Sequence, residues 1–272
     1  MEIDKRFVFS GHAIGVNASF HRLDDVHNLK HFIPTLGSSV LPPVGGLSYH
    51  KVANFCYRVD EPKRRTLLAV THAEATAHGQ EADDQFETEV RIQVRGVSVL
   101  DKLHVDLVEL EQRATRGFDA STSLIRTSVA KIEGLKLGNV AVNVDLDVDP
   151  FHSRCTKREL LDFYSEQSDD YRQEHGWRFN SAPEAKSINE INGRVFATLV
   201  KKIDLDGPAD ELEKIQVDGN AIKWEGFGTI FLGEVIMRDE DRRVTMMRLK
   251  MGSDAGGRGT IVDGQTNGGT VP

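Results

Sequence analysis

Every second residue from Phe86 to Arg95 repeats one choice. Phe86, Thr88, Val90, Ile92 and Val94 are apolar or threonine, while Glu87, Glu89, Arg91, Gln93 and Arg95 are charged or amide-bearing. Successive strand side chains point to opposite faces, so a period of two specifies a strand with one face on a core and the other in water. The same alternation links Val140, Val142, Val144, Leu146 and Val148, interleaved with Asn139, Ala141, Asn143, Asp145 and Asp147. Thr245, Met247, Leu249 and Met251 alternate less cleanly with Val244, Met246, Arg248 and Lys250. One-sided polarity belongs to antiparallel sheets, because parallel sheets are covered on both faces.

Further strands are expected over Phe7–His21, Tyr49–Val59, Thr66–His78, Leu103–Arg113, Ser123–Ile132, Arg194–Ile203 and Thr229–Met237, separated by Gly-, Asn-, Asp- and Pro-containing turns. Phe86–Leu100 with Leu103–Arg113 reads as a hairpin, as does Thr229–Met237 with Arg243–Met251. The expected fold is mainly β, an antiparallel β-sandwich or barrel, with one α-helix near residues 156–167. In that helix Leu160, Phe163, Tyr164 and Gln167 share a face, and Thr156 with Glu159 forms a capping box.

The expected organisation is a β domain over residues 1–150, a helix and exposed connector over 151–190, hairpins completing the sheets over 191–251, and a glycine-rich tail over 252–272. Within the connector, Gln167–Pro183 is polar and reads as an exposed excursion. The segment Ile33–Gly46 holds three prolines and three glycines. It reads as an ordered loop over a sheet end rather than a central strand. Gly252–Pro272 carries seven glycines and few large apolar groups, and reads as mobile or as ordered only by a partner. Alternating Ala73, Ala75 and Ala77 lie on one strand face, where small side chains admit a second layer at close range.

The chain has 42 acidic against 34 basic residues, a net charge of −8. That balance offers no basic field for nucleic acid. No apolar run approaches the ~20 residues of a membrane-spanning helix. No secretory signal follows Met1, so the sequence as written reads as cytoplasmic, or as extracellular if it is a processed form. Cys56 and Cys155 read as buried free thiols, and pairing them requires an oxidising compartment.

Ala13-Ile14-Gly15-Val16-Asn17-Ala18, Pro42-Pro43-Val44-Gly45-Gly46-Leu47, Ala73-Glu74-Ala75-Thr76-Ala77, Gly96-Val97-Ser98-Val99-Leu100 and Gly134-Leu135-Lys136-Leu137-Gly138 follow one another in order. Over residues 7–150 this order resembles the β-rich actinobacterial secreted or wall-associated proteins of the choice-of-anchor type. The resemblance implies an all-β extracellular module and brings no catalytic residues with it.

Two side-chain groups are candidate sites. His72, Glu74, Thr76 and His78 share one strand face; His72, Glu74 and His78 form a candidate ligand-binding set, and two imidazoles with a carboxylate suit zinc or iron(II). A solvated polar face explains the same pattern. Asp145, Asp147 and Asp149 project together and supply hard oxygens of the kind calcium takes, although the glycine and terminal glutamate of an EF-hand are missing. A wet acidic face is again the competing reading. His12 and His21 are outlying candidates. Trp177, Phe179, Trp224 and Phe227 read as packing rather than as a ligand box.

No Gly-x-Ser-x-Gly elbow, Walker loop or complete Gly-x-Gly-x-x-Gly occurs. Two functions therefore stand. One is a non-catalytic structural or binding module that self-associates or binds a partner through sheet edges or the glycine-rich tail. The other is a β-barrel holding a small apolar molecule, with enzymatic use of the histidines left open.

Overall fold

The alternating segments fold into strands, and the strands into two antiparallel sheets of eight laid face to face. The computed structural model describes residues 6–21, 30–59, 65–166, 194–238, 241–252 and 256–271. Sheet A contains β1 (Arg6–Phe20), β2 (His31–Val40), β10 (Val195–Thr198), β12 (Ile215–Asp218), β13 (Ala221–Trp224), β14 (Gly228–Met237), β15 (Asp241–Met251) and β16 (Gly257–Val271). Its order is β12-β13-β14-β15-β16-β1-β2, with β10 also on β14. Sheet B contains β3 (Gly46–Val59), β4 (Arg65–Ala82), β5 (Gln85–Val99), β6 (Leu103–Gly117), β7 (Leu124–Glu133), β8 (Leu135–Leu137), β9 (Val140–Leu146) and β11 (Val200–Asp206). Its order is β11-β9-β8-β6-β5-β4-β3, with β7 also on β6. The sheets stay open, so the architecture is a sandwich and the barrel is excluded.

Each sheet is creased along one transverse row. In sheet B the row runs through Asn54, Thr71, Gly96 and Asp106, which the register passes over; Asn54 and Gly96 have φ of 54° and 59°. Buried positions on β5 pass there from even (Val90, Ile92, Val94) to odd (Val97, Val99). In sheet A the row runs through Gly37, Gly15, Val262, Met246 and Gly233. Gly37, Val262 and Gly233 there have φ of 59°, 57° and 59°. A left-handed residue reverses which face the next side chain takes, so a 15-residue strand keeps its apolar side inward on both limbs of the bend. This explains the ragged alternation of β15. Arg242 and Val244 point inward before the crease, Met247 and Leu249 after it, and Thr245 faces outward onto Asp263.

Three helices are described: α1 (Asp149–Ser153), α2 (Lys157–Glu166) and α3 (Ala209–Leu212). The capping box of α2 is reciprocal. The Glu159 amide donates to Thr156 Oγ1 at 3.2 Å, and the Thr156 amide to Glu159 Oε2 at 3.0 Å. Arg242, wholly buried, ties α1 to sheet A. Its guanidinium donates to the Phe151 and Arg154 carbonyls at the C-terminal end of α1, where the helix leaves acceptors unpaired and the dipole favours a cation. Among the described residues no carboxylate pairs with it through a salt bridge, and burial pushes its pKa down to about 10.

Two expected loops are strands. Of the expected mobile tail, Gly257–Val271 forms β16, which lies in the interior of sheet A, between β15 and β1. The proline-rich segment 33–46 begins as β2, an edge strand, where Pro34 costs no ladder hydrogen bond. Ala73, Ala75 and Ala77 are fully buried, and β2 lies directly on them. A Cβ on Gly37 would fall 3.0 Å from the Ala73 backbone, and Ser39 Oγ donates to the Ala75 carbonyl at 2.8 Å. Both cysteines are free; Cys155 is buried, but Cys56 is exposed, because β3 is an outer strand. The Gln167–Pro183 excursion, with Trp177 and Phe179, lies outside the described residues. Trp224 and Phe227 stack at 5.1 Å.

Candidate functional site

The outer face of sheet B carries the charged residues of the alternating strands. Register aligns them in rows across the strands. Leu47, His78, Glu89 and Arg113 form one row, Tyr49, Thr76, Arg91 and Glu111 the next, and Lys51, Glu74, Gln93 and Glu109 a third. Between these rows runs an open groove of about 590 Å³, lined among others by Leu47, Glu74, Thr76, His78, Arg91 and Glu111.

Most charges in the groove are already committed. Arg91 pairs with Glu89 and, at 3.5 Å, with Glu111. Lys131 reaches Glu109 at 3.5 Å, and Gln93 donates to the same carboxylate at 3.4 Å. Beside the groove Arg113 pairs with Glu87. Burial raises the Glu87 pKa, but donation from Gln80, Arg113 and Gln85 outweighs it and holds the carboxyl below its ordinary range. His78 has no hydrogen-bond partner among the described residues, and it sits directly across from exposed Leu47. Cross-strand pairs of opposite charge stabilise a wet sheet face. What remains for a partner is the uncommitted imidazole, the Thr76 hydroxyl and the apolar rim of Leu47 and Tyr49.

Glu74 and His78 thus line the groove. His72 stands one row beyond, its Nε2 3.2 Å from Glu74 Oε2. The three aspartates do not gather. Asp145, on β9, lies 3.7 Å from Lys201; Asp147 follows the strand and accepts from the Asp149 amide at 3.3 Å; Asp149 opens α1. The alternation that would align them ends with β9, so they do not form the expected calcium set. Among the described residues no group of three or more His, Cys, Asp or Glu side chains is placed to hold a metal ion. His12 lies on the outer face of sheet A. Burial lowers its pKa, nearby Asp263 raises it, and Arg243 lowers it. His21 closes β1 and donates its amide to the Gly256 carbonyl.

Sequence reading missed the edge beside the groove. The terminal strand of sheet B is β3, and its Leu47 and Tyr49 are 66% and 53% exposed. The signal was available in Leu47 and Tyr49 themselves, two large apolar groups at alternate positions. It is hidden when the strand is started at Tyr49, which leaves Leu47 outside it. The opposite edges are short: β11 has seven residues and β12 four.

Among the described residues no helix is long and apolar enough to cross a membrane. A family model described as Domain of unknown function (DUF8256) matches residues 7–238. No curated protein and no solved structure matches the chain.

Proposed function

The chain belongs to that family of unknown function, DUF8256, and from its geometry we propose a non-catalytic binding module that associates with a second copy of itself along β3. The observation that carries this reading is the open edge of Gly46–Ala53. Natural edge strands are blunted by shortness, proline, charge or bulges. The second half of β3 follows that rule, with Asn54 in a left-handed conformation and a register shift at Tyr57/Arg58. The first half has neither, and Lys51 is its only Lys or Arg.

Antiparallel pairing of two copies about His50 sets Tyr49 opposite the other copy's Lys51, and Leu47 opposite its Ala53. That buries both exposed apolar groups and brings an ammonium to an aromatic ring. The glycine-rich segment has no part in this, since β16 is committed within sheet A. The apolar-ligand reading needs a lumen, and the open sheets provide a charged groove instead.

Light scattering coupled to size exclusion tests the proposal. The full chain should be dimeric at tens of micromolar, with a melting temperature that rises with protein concentration, and Tyr49→Lys with Leu47→Lys should make it a folded monomer whose melting temperature no longer depends on concentration. A monomer at all concentrations overturns the self-association, and so does a dimer that both substitutions leave intact.

A further inference from the structure

The outer face of sheet A carries a second row of a different kind. Register aligns Lys223 with Thr229, Thr229 with Lys250, Lys250 with Arg258, and Arg258 with Ser19. Five neighbouring strands thus present three cations and two hydroxyls, and no acid. Lys223, Lys250 and Arg258 are exposed, and none has a carboxylate partner among the described residues. Lys250 and Arg258 stand directly opposite each other, about 5 Å apart at the backbone, an arrangement of like charges that destabilises a sheet.

The rest of this face shows that the omission is local. Arg248 forks onto Glu234 at 2.7 and 2.5 Å, and Arg243 onto Asp263 at 2.8 and 2.6 Å. Both carboxylates are buried, so those arginines are neutralised where they stand. The next row along is left positive, in a chain whose net charge is −8. A groove of about 340 Å³ opens there, lined by Arg248, Lys250, Arg258 and Thr260. The Arg248 guanidinium lies 3.9 Å over the Phe231 ring, which fixes the wall of the groove.

We propose that this row is a binding site for a diphosphate-type oxyanion. One strand spacing separates Lys250 from Arg258, which suits two linked tetrahedral groups better than one. The arginine fork takes two oxygens of one group and the ammonium a point charge on the other, with Thr229, Ser19 and Thr260 hydroxyls beside them. The site lies on the other sheet from β3 and does not depend on self-association.

Inorganic pyrophosphate, added to the full chain at constant ionic strength, is the probe, read by calorimetry and by thermal unfolding. The wild-type chain should bind it and melt at a higher temperature. Lys250→Gln and Arg258→Gln should each weaken binding by about tenfold or more, yet melt no lower than wild type without the ligand, because each removes the like-charge contact. Lys201→Gln on sheet B should bind as wild type does. Inorganic phosphate and sulfate should bind more weakly than pyrophosphate. Equal effects of all three anions would reduce the site to general screening and overturn the proposal. So would pyrophosphate binding that survives both row substitutions.

Discussion

Replacing Arg242 separates two forces that act on one buried guanidinium. It donates to two main-chain carbonyls, Phe151 and Arg154, and more distantly to Thr127 Oγ1 at 3.5 Å. Leaving two buried carbonyls without donors costs about 1–3 kcal/mol each. Against that stands the cost of keeping the cation dry. A pKa pushed down to about 10 corresponds to ~3 kcal/mol of desolvation at neutral pH. Because the folded-state pKa is the lower one, this penalty is constant at neutral pH and relieved only above pH 10.

Arg242→Met loses the donors but also sheds the buried charge, so the terms largely offset and the net loss is ~1–3 kcal/mol. Arg242→Lys keeps a buried charge but cannot fork to both carbonyls, and it should cost ~3–5 kcal/mol. The nominally conservative change is therefore the worse one. With a urea m-value of about 3 kcal/mol per M, the lysine variant should unfold about 1 M or more below wild type and the methionine variant within about 1 M of it. If methionine proves the more damaging, the carbonyls govern the site and the desolvation reasoning is wrong.

Three further outcomes follow from the packing. Ala75→Leu should cost ~1–3 kcal/mol, since β2 lies directly on that strand; an unchanged melting temperature would mean the sheets can separate freely there. Thr156→Ala should lose about 1 kcal/mol by breaking the capping box of α2, measured by urea titration; no loss means the box contributes nothing. Burial holds His12 below 6.5 in the folded protein, so the unfolded chain takes up a proton first as pH falls, and stability drops as pH falls through that value. His12→Asn should flatten the slope of stability against pH near pH 6, by at most about 1.4 kcal/mol per pH unit; superimposable profiles would contradict the assignment.

What the residues declare depends on whether local pattern and packing agree. Val90, Ile92 and Val94 are read correctly because each alternate side chain enters the same core. The hairpin of β5 and β6 follows from the same rule, and the α2 cap from two side chains three residues apart. β16 is misread because its glycines suggest freedom. At Gly264 the cause is instead lack of space: a Cβ there would fall 2.8 Å from Leu110 and 3.2 Å from Ile92, on the opposing sheet. Glycine is the residue that fits, and only the opposing sheet reveals it. The Asp145–Asp149 reading failed for a related reason. Alternation was carried past the end of β9 into a helix, although Pro150 in the first turn of α1 marks that change of period. The cation row is invisible in sequence because Lys223, Lys250, Arg258 and Ser19 come from four separate strands.

The order of strands also bears on how the molecule is made. Sheet B from β3 to β9 is built of consecutive segments, each able to pair soon after it leaves the ribosome. Sheet A is different: β1 precedes every strand of sheet B in the chain, yet it finds its long partner only in β16, with Arg6 set against Val271. Until β16 emerges, a 15-residue strand carrying Phe7, Phe9 and Phe20 must wait with one flank open. Slow maturation and a need for protection during translation are the natural costs of pairing two strands so far apart in sequence.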